Sequence, residues 1–287
     1  YSKYAGVVIA SILDNLSEKS FANFYILDGN ITKENKDKLL QLKQIKDCNI
    51  EFVQVDKSKF EVYKQINTHK YLTLPAYYRL KLSELLPNVD KIIYLDCDII
   101  VNSDITELFN IQIGDNIIGG VLDARVKHKK KWKNTNYINS GMIVFNLAKI
   151  RENKIEDKFV EYTKQNTKTI ETGDQDVINF VLKDKIQILP DDWNVQVSGF
   201  ASRTSFTNKP KLIHYIGCDK PWVFASITFF KDLYFKNLQL TPLTEEEKQK
   251  WIIENKKASR KKFWKKRPLC FLHPKYLYAF YCSYIKK

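Results

Sequence analysis

Apolar and polar positions follow two different periods over the first 55 residues. Apolar residues three and four apart predict an opening helix, and they are Ala5, Val8, Ile9, Ile12 and Leu13. Residues 24–27 are a short apolar run that predicts a buried strand, and residues 50–55 predict another strand. Between them Thr32 precedes a second helical pattern, with apolar residues on one face at Leu39, Leu40, Leu42 and Ile45. Helices that alternate with strands indicate an α/β fold, a sheet with helices packed on its faces.

The alternation continues to about residue 240. Residues 75–86 predict a helix, and residues 91–95 predict the strand that follows it. Further patterns predict strands at residues 117–122, 142–145 and 186–189, and helices at residues 157–162 and 175–182. After Thr241 and Pro242 the composition becomes charged and helix-forming. We therefore expect a main domain over residues 1–240 and a small helical segment over residues 241–287.

The strongest chemical signal is Asp96-Cys97-Asp98, which follows the predicted strand at residues 91–95 directly. Ligands of open α/β sheets collect at the carboxyl ends of strands. Two carboxylates one residue apart at such an end can both turn toward one hard cation, and oxygen ligands suit Mg²⁺ or Mn²⁺. A solvated acidic turn that merely closes the strand is the alternative for this motif alone.

A second motif covers residues 214–222. His214 is a possible ligand for a borderline cation such as Mn²⁺, although a histidine after Leu212 and Ile213 is more often a satisfied strand-end residue. Gly217 and Lys220 follow, and a backbone N–H and an ammonium group at such positions can bind a diphosphate. Trp193 and Asn194 are weaker candidates for contact with a ligand, because Trp is more often a core residue.

The positive charge is concentrated at the end of the chain. The formal net charge is +14, yet residues 255–287 hold 11 Lys or Arg and no Asp or Glu. The other 254 residues carry 36 basic and 33 acidic side chains. A nucleic-acid-binding domain needs a basic face of its own, so we expect no nucleic-acid partner for the main domain.

The cysteines and the longest apolar runs bound the location of the protein. Five scattered cysteines without a C-x-x-C pair suggest neither a disulfide framework nor a zinc knuckle, and a reducing cytoplasm fits them. No run approaches 18 apolar residues, so no membrane span is expected. The sequence begins at Tyr1 without an initiator Met, and we expect it to start inside a longer natural chain.

Taken together, these motifs resemble glycosyltransferase family 8, and within it the bacterial lipopolysaccharide galactosyl- and glucosyltransferases. The matching segments occur in the family's order, and they are residues 77–80, 93–101, 137–142, 173–176 and 214–222. Members of the family normally begin with a strand ending in Ala-x-Asp ahead of the Tyr-x-x-Tyr seen at Tyr1 and Tyr4. We expect that strand, with its contacts to the nucleotide, to precede Tyr1 in the natural chain.

The resemblance implies a GT-A type fold that uses a UDP-sugar, UDP-galactose or UDP-glucose, and a divalent metal, Mn²⁺ or Mg²⁺. It implies that Asp96, Asp98 and His214 are the metal ligands and that Gly217 and Lys220 hold the diphosphate. The residues it places around the donor sugar are Arg79, Asp123, Asn139, Asp174 and Gln175. A diphosphate gains negative charge as it leaves, and a cation with Lys220 would stabilise that charge.

The resemblance also implies that the α configuration of the donor is retained. Retaining glycosidases achieve this with a nucleophilic carboxylate, but the residue placed by analogy here is Gln175, a poor nucleophile. We therefore favour front-face attack, in which the departing phosphate accepts the acceptor's proton, and we expect Asp174, Gln175 and Lys220 to be catalytic. Read alone, Asp174 and Asp176 are equally consistent with acids at a helix N-terminus.

The function that follows is transfer of Gal or Glc to a lipopolysaccharide or lipooligosaccharide acceptor. A glycogenin-like self-glucosylating initiator and a silent, membrane-tethered glycan-binding module remain alternatives. The basic residues after Asn255 alternate with aromatic ones, a composition that favours anionic membrane surfaces. We expect a peripheral enzyme on the inner face of a bacterial membrane.

Overall fold

The computed structural model describes residues 2–66, 73–124, 135–198, 201–202, 209–224 and 226–266. Side chains are described up to residue 260, except those of residues 201 and 202. The tail after residue 266 lies outside the described residues, and so does its predicted contact with membranes. No described helix is both long enough and apolar enough to cross a bilayer.

Helices and strands alternate as the sequence predicts. The strands are β1 (Ala22–Asp28), β2 (Cys48–Gln54), β3 (Lys91–Leu95), β4 (Ile99–Val101), β5 (Ile118–Leu122), β6 (Ile138–Asn146), β7 (Ile186–Ile188), β8 (Val195–Ser198), β9 (Ala201–Ser202) and β10 (Leu212–Tyr215). The α-helices are α1 (Ser2–Asn15), α2 (Lys33–Leu40), α3 (Leu82–Leu85), α4 (Thr106–Asn110), α5 (Leu147–Glu152), α6 (Ile155–Asn166), α7 (Asp174–Val181), α8 (Lys231–Gln239) and α9 (Glu245–Lys266).

The strands form three hydrogen-bonded groups. β1 pairs in parallel with β2, and the second group, of four strands, has the order β3-β6-β5-β7. The third group has the order β4-β10-β8-β9, in which β10 is antiparallel to β4 and parallel to β8. This mixed arrangement brings the end of β3, the start of β4 and the end of β10 to one side of the molecule. The α/β prediction is confirmed, because mixed sheets are flanked by helices.

Two predicted helices have a different form. The pattern after Thr32 folds as α2 followed by a 3₁₀ turn, Gln41–Gln44, and Leu40 is exposed rather than on the buried face. Residues 75–86 fold as a 3₁₀ helix, Leu74–Lys81, followed by the short α3. The break falls at Lys81, whose backbone angles of −132° and 29° are not helical. Tyr77, Tyr78, Arg79 and Leu80 are all buried, so this segment is held by tertiary packing on several sides rather than by helical periodicity.

The apolar core continues beneath α9. Trp251 is buried and packs near Trp222 and Tyr234. The Tyr4 hydroxyl donates to Asn255 Oδ1 at 3.1 Å, and the Phe224 N–H donates to Ser259 Oγ at 2.7 Å. The first part of the predicted C-terminal segment is therefore packed on the main body, next to the chain that follows residues 214–222. A functional division near residue 240 stays a prediction.

Candidate active site

Asp96 and Asp98 lie on a turn that is fixed by the neighbouring strands. β3 pairs with β6 up to Leu95, and the Asp96 N–H then donates to the Gly141 carbonyl at 2.8 Å. The Asp98 carbonyl accepts a hydrogen bond from the Tyr215 N–H at 2.9 Å. Burial raises the pKa of the intervening Cys97 thiol to about 12, so the thiol stays protonated at neutral pH.

Asp96, Asp98 and His214 come together as the sequence predicts. One ligand atom from each of the three side chains lies within 4.8 Å of the others. The His214 Nε2 atom is 3.2 Å from Asp98 Oδ1, and this carboxylate oxygen is buried. A buried carboxylate favours positive charge beside it. The three side chains therefore fit a divalent cation with oxygen and imidazole ligands.

Lys220 reaches the same cluster. Its Nζ atom contacts Asp98 Oδ2 and the Tyr215 carbonyl oxygen. Burial by itself would raise the pKa of Asp98, but Lys220 and His214 hold that pKa well below its usual range. Asp98 is therefore a permanent anion at neutral pH, as a metal ligand must be.

Gly217 lies between His214 and Lys220 in the sequence. Its backbone angle φ is +72°, a conformation that residues with a side chain rarely adopt. The preceding Ile216 N–H donates to the Val197 carbonyl, so β8 supports this turn. A Cβ atom at position 217 would lie 3.3 Å from Ser198 Oγ. Glycine therefore allows the chain to turn here and leaves Lys220 facing Asp98.

Arg79 joins the acidic cluster to the start of α7. Its Nη2 atom donates to Asp96 Oδ1 at 2.7 Å, and its Nε atom lies 3.2 Å from Asp174 Oδ2. Its Nη1 atom donates to the Ser140 carbonyl, and Tyr94 packs under the guanidinium. Burial raises the pKa of Asp174 to about 6, although the charge of Arg79 opposes the rise. The sequence patterns gave no sign of the part played by Tyr94, because aromatic residues in strands are common.

Gln175 is the centre of a buried amide network beside this pair. Its Nε2 atom donates to Asp123 Oδ2 at 2.9 Å, and its Oε1 atom accepts from the Ser140 N–H at 3.1 Å. The Asn139 Nδ2 atom lies 3.3 Å from Gln175 Oε1 and 3.4 Å from Asp123 Oδ2. The structure thus brings together all of the residues that the resemblance places around the donor sugar.

Asp176 has a structural role in the described chain. Its carboxylate accepts hydrogen bonds from the Tyr137 hydroxyl, from the Thr172 N–H and hydroxyl, and from the Glu171 N–H. These bonds close the turn that leads into α7. Asp176 therefore matches the interpretation as a helix-terminal acid, whereas Asp174 and Gln175 face the site.

Trp193 and Asn194 do not form an open acceptor surface, contrary to the sequence-based suggestion. Trp193 is buried in the core, and Asn194 has no exposed surface. Lys211 Nζ lies over the Trp193 ring at 4.9 Å, and Asn194 Oδ1 lies 3.2 Å from His214 Nδ1. Both residues end a short 3₁₀ helix, Asp191–Asn194, directly before β8. Their burial depends on how the strands assemble, so the local sequence did not reveal it.

The fold and the site define a GT-A glycosyltransferase, a class of enzyme that uses a nucleotide sugar and a divalent metal. The sequence profile described as Glycosyl transferase family 8 matches residues 1–225, and the chain belongs to that family. The family expected from the motifs is thereby confirmed.

Two relatives and one solved structure illustrate the likeness. A putative glycosyltransferase of Haemophilus influenzae is 30% identical over 234 residues, which cover 77% of this chain and 70% of that protein. The lipopolysaccharide 1,2-glucosyltransferase of Escherichia coli is 27% identical over 257 residues, which cover 82% of this chain and 75% of that protein. The crystal structure of the galactosyltransferase LgtC with donor and acceptor sugar analogues superposes with a TM-score of 0.77 at 23% identity, covering 88% of this chain and 96% of that one.

Proposed function

We propose that this protein is a metal-dependent, retaining hexosyltransferase that moves Gal or Glc from a UDP-sugar to a lipopolysaccharide or lipooligosaccharide acceptor. The observation that carries the proposal is the continuity of the site: Arg79 contacts Asp96 of the acidic cluster and Asp174 at the start of α7. A cation site and a sugar-binding amide network are thus adjacent. The similarity to a lipopolysaccharide glucosyltransferase supports the acceptor class.

In this proposal Asp96, Asp98 and His214 hold Mn²⁺ or Mg²⁺. The ion, when bound, supplies positive charge that stabilises the leaving diphosphate. Lys220 adds a second positive charge at the same place, and the Gly217 N–H offers a hydrogen bond to a phosphate oxygen. Both groups stabilise this charge electrostatically, so neither of them has to transfer a proton to the leaving diphosphate.

The residues around the donor sugar are Arg79, Asp123, Asn139, Asp174 and Gln175. Each nitrogen of the Arg79 guanidinium already contacts a protein oxygen, so we assign Arg79 to orienting Asp96 and Asp174. Asp123 and Asn139 are held by Gln175, and both are buried. Rigid polar groups of this kind select a sugar by its hydroxyl pattern, since an unmatched buried polar group is costly.

The contacts of Gln175 support front-face attack over a covalent intermediate. Its Oε1 atom already accepts hydrogen bonds from the Ser140 N–H and Asn139 Nδ2, and both donors reduce its electron density. An amide oxygen so engaged stabilises a developing oxocarbenium ion at short range but is a poor nucleophile. The acceptor hydroxyl then attacks on the side that the diphosphate leaves, and a phosphate oxygen takes its proton.

The proposed function is tested with a panel of UDP-sugars and release of UDP as the measured product. We expect Mn²⁺-dependent release with UDP-galactose or UDP-glucose, increased by a rough lipooligosaccharide acceptor. Intact-mass analysis of the protein after the reaction tests the self-glucosylating alternative. Absence of UDP release with every donor and metal would contradict the proposal.

Replacing Gln175 tests the stereochemical part. We expect Gln175→Ala to lower kcat by about 10- to 100-fold, because Asp123 and Asn139 lose their shared partner, while the product stays α-linked. NMR of the purified product gives the anomeric configuration. Gln165→Ala, on the surface of α6, is the matched control and should leave kcat unchanged. A β-linked product would refute the retaining assignment.

The basic tail supplies a prediction about membrane binding. A chain ending at Arg260 keeps the contacts of Asn255 and Ser259 with the body and removes eight basic residues. Each contributes roughly 1 kcal/mol near an anionic surface. We expect this truncation to abolish cosedimentation with phosphatidylserine-containing vesicles and to leave UDP release with a water-soluble acceptor unchanged.

Salt and a charge control complete the membrane experiment. Binding of the full chain should weaken as ionic strength rises. Replacing the exposed Lys158, Lys168 and Lys183 with Gln removes charge from the body and should leave vesicle binding intact. If the truncated chain binds vesicles as well as the full chain, the tail is not the membrane contact.

A further inference from the structure

The Asn194 side chain contacts both the acidic cluster, through His214, and the buried amide network, through Asn139. Asn194 ends the short 3₁₀ helix Asp191–Asn194, immediately before β8, and its side chain has no exposed surface. Its Oδ1 atom lies 3.2 Å from His214 Nδ1, and its Nδ2 atom donates to Asn139 Oδ1 at 3.1 Å. One side chain therefore contacts both a proposed metal ligand and a proposed sugar-binding residue.

The direction of these hydrogen bonds follows from a backbone group. The Gly141 N–H donates to Asn139 Oδ1 at 3.1 Å, and a backbone N–H can only donate. The atom it contacts is thereby fixed as the Asn139 oxygen, which needs donors. Asn194 must then present its NH₂ group to Asn139 and its oxygen to His214.

The tautomer of His214 follows in turn. The Asn194 oxygen can only accept a hydrogen bond, so His214 Nδ1 must carry a proton and donate it to that oxygen. In the neutral imidazole the other nitrogen, Nε2, then has its lone pair free, and Nε2 is the atom 3.2 Å from Asp98 Oδ1. A metal-binding histidine needs this arrangement, in which its second nitrogen donates to a protein oxygen.

Gly141 also restricts the imidazole ring by its shape. A Cβ atom at position 141 would lie 2.1 Å from His214 Cε1, far inside any allowed contact. The ring therefore packs directly on the backbone of β6, and the hydrogen bond that its Nδ1–H donates to Asn194 Oδ1 fixes its rotation. Gly141 thus restricts the position of the His214 ring, and Asn194 sets which of its nitrogens is protonated.

We propose that Asn194 is a positioning residue that holds His214 with Nε2 free toward Asp98 and couples this ligand to the donor-sugar residue Asn139. The inference rests on the proposed metal and sugar roles of the site, and it deepens them. Asn194 has two separable tasks: its oxygen orients the metal ligand, and its NH₂ group supports Asn139. Binding of the cation and binding of the sugar are thereby linked through a single buried amide.

Two substitutions separate the two tasks. Asn194→Ala removes both hydrogen bonds, and we expect the Kd for Mn²⁺ to rise about 10- to 100-fold. Asn194→Asp keeps an oxygen that accepts the Nδ1 proton but cannot donate to Asn139. We expect it to bind Mn²⁺ within about threefold of the wild type and to bind the UDP-sugar about 10-fold more weakly.

The readouts do not depend on turnover. Mn²⁺ affinity is measured by electron paramagnetic resonance, and ¹⁵N NMR of the protein saturated with Mg²⁺, a diamagnetic ion, reports which imidazole nitrogen carries the proton. We expect a single Nδ1–H form of His214 in the wild type and in Asn194→Asp, and a mixture in Asn194→Ala. Asn237→Ala removes an equally buried amide on α8 and should change neither readout.

The outcomes distinguish this inference from the proposed function. A folded Asn194→Ala with wild-type Mn²⁺ affinity and a single tautomer overturns the positioning role, even if the wild type is an active transferase. If Asn194→Ala fails to fold, Asn194→Asp provides the test. A UDP-sugar affinity equal to that of the wild type, or loss of the Nδ1–H form of His214, would overturn the positioning role. A wild type that transfers no hexose yet shows the expected tautomers contradicts only the proposed function.

Discussion

Replacing Asp98 with Asn is expected to lower the turnover number by about 10³-fold while the fold is kept. The amide preserves the shape of the side chain but removes the charge that faces His214 Nε2 and Lys220. Because Lys220 and His214 hold the pKa of the buried Asp98 well below its usual range, its negative charge is the feature that makes the cluster suitable for a cation. Mn²⁺-dependent UDP release and Mn²⁺ affinity measure the effect.

Chelation and a second aspartate provide the controls for Asp98. A chelator should abolish UDP release by the wild type, and added Mn²⁺ should restore it. Asp104→Asn is the matched substitution: its amide oxygen can still accept from the Thr106 N–H, and only the exposed hydrogen bond from the Ser17 N–H to the other carboxylate oxygen is lost. It should leave turnover unchanged. Full activity of the wild type in excess chelator would rule out the metal site.

Replacing Lys220 with Ala is expected to lower kcat by about 100-fold with a smaller change in KM. Its ammonium group contacts Asp98 and the Tyr215 carbonyl, at the place proposed for the leaving diphosphate. Negative charge on that group is greatest in the transition state, so the interaction strengthens as the glycosidic bond breaks. Steady-state kinetics with the preferred UDP-sugar separate kcat from KM.

The comparison variants for Lys220 are conservative and remote. Lys220→Arg keeps the charge and should recover part of the rate, whereas Lys236→Ala removes an exposed lysine that pairs with Asp14 and should have no effect. A rise in KM with kcat unchanged would identify Lys220 as a residue that binds ground state and transition state equally.

The sequence by itself determined the fold class and the family. The strands at residues 24–27 and 91–95 were predictable because their apolar runs are continuous and are read locally. The Asp96-Cys97-Asp98 motif was interpretable because it follows such a strand. The motif order identified the family, and with it the set of residues that the structure brings together.

The short strands could not be predicted from the local sequence. β4 and β8 have only three and four residues, too few for a period of two to stand out from chance. Their pairing with β10 nevertheless decides where Asp98 and His214 meet. The 3₁₀ form of residues 74–81 was missed for a related reason, since buried contacts on several sides replaced the helical pattern.

Only the tertiary structure decided how the site residues are oriented. Asp98 and His214 are 116 positions apart, and the spacing along a chain carries no information about distances across a sheet. The assignment of Asn194 changed from acceptor contact to buried support of His214, because its neighbours come from β6 and β10. Residue type sets which atoms donate and accept, but the direction of each hydrogen bond is fixed where separate strands pack together.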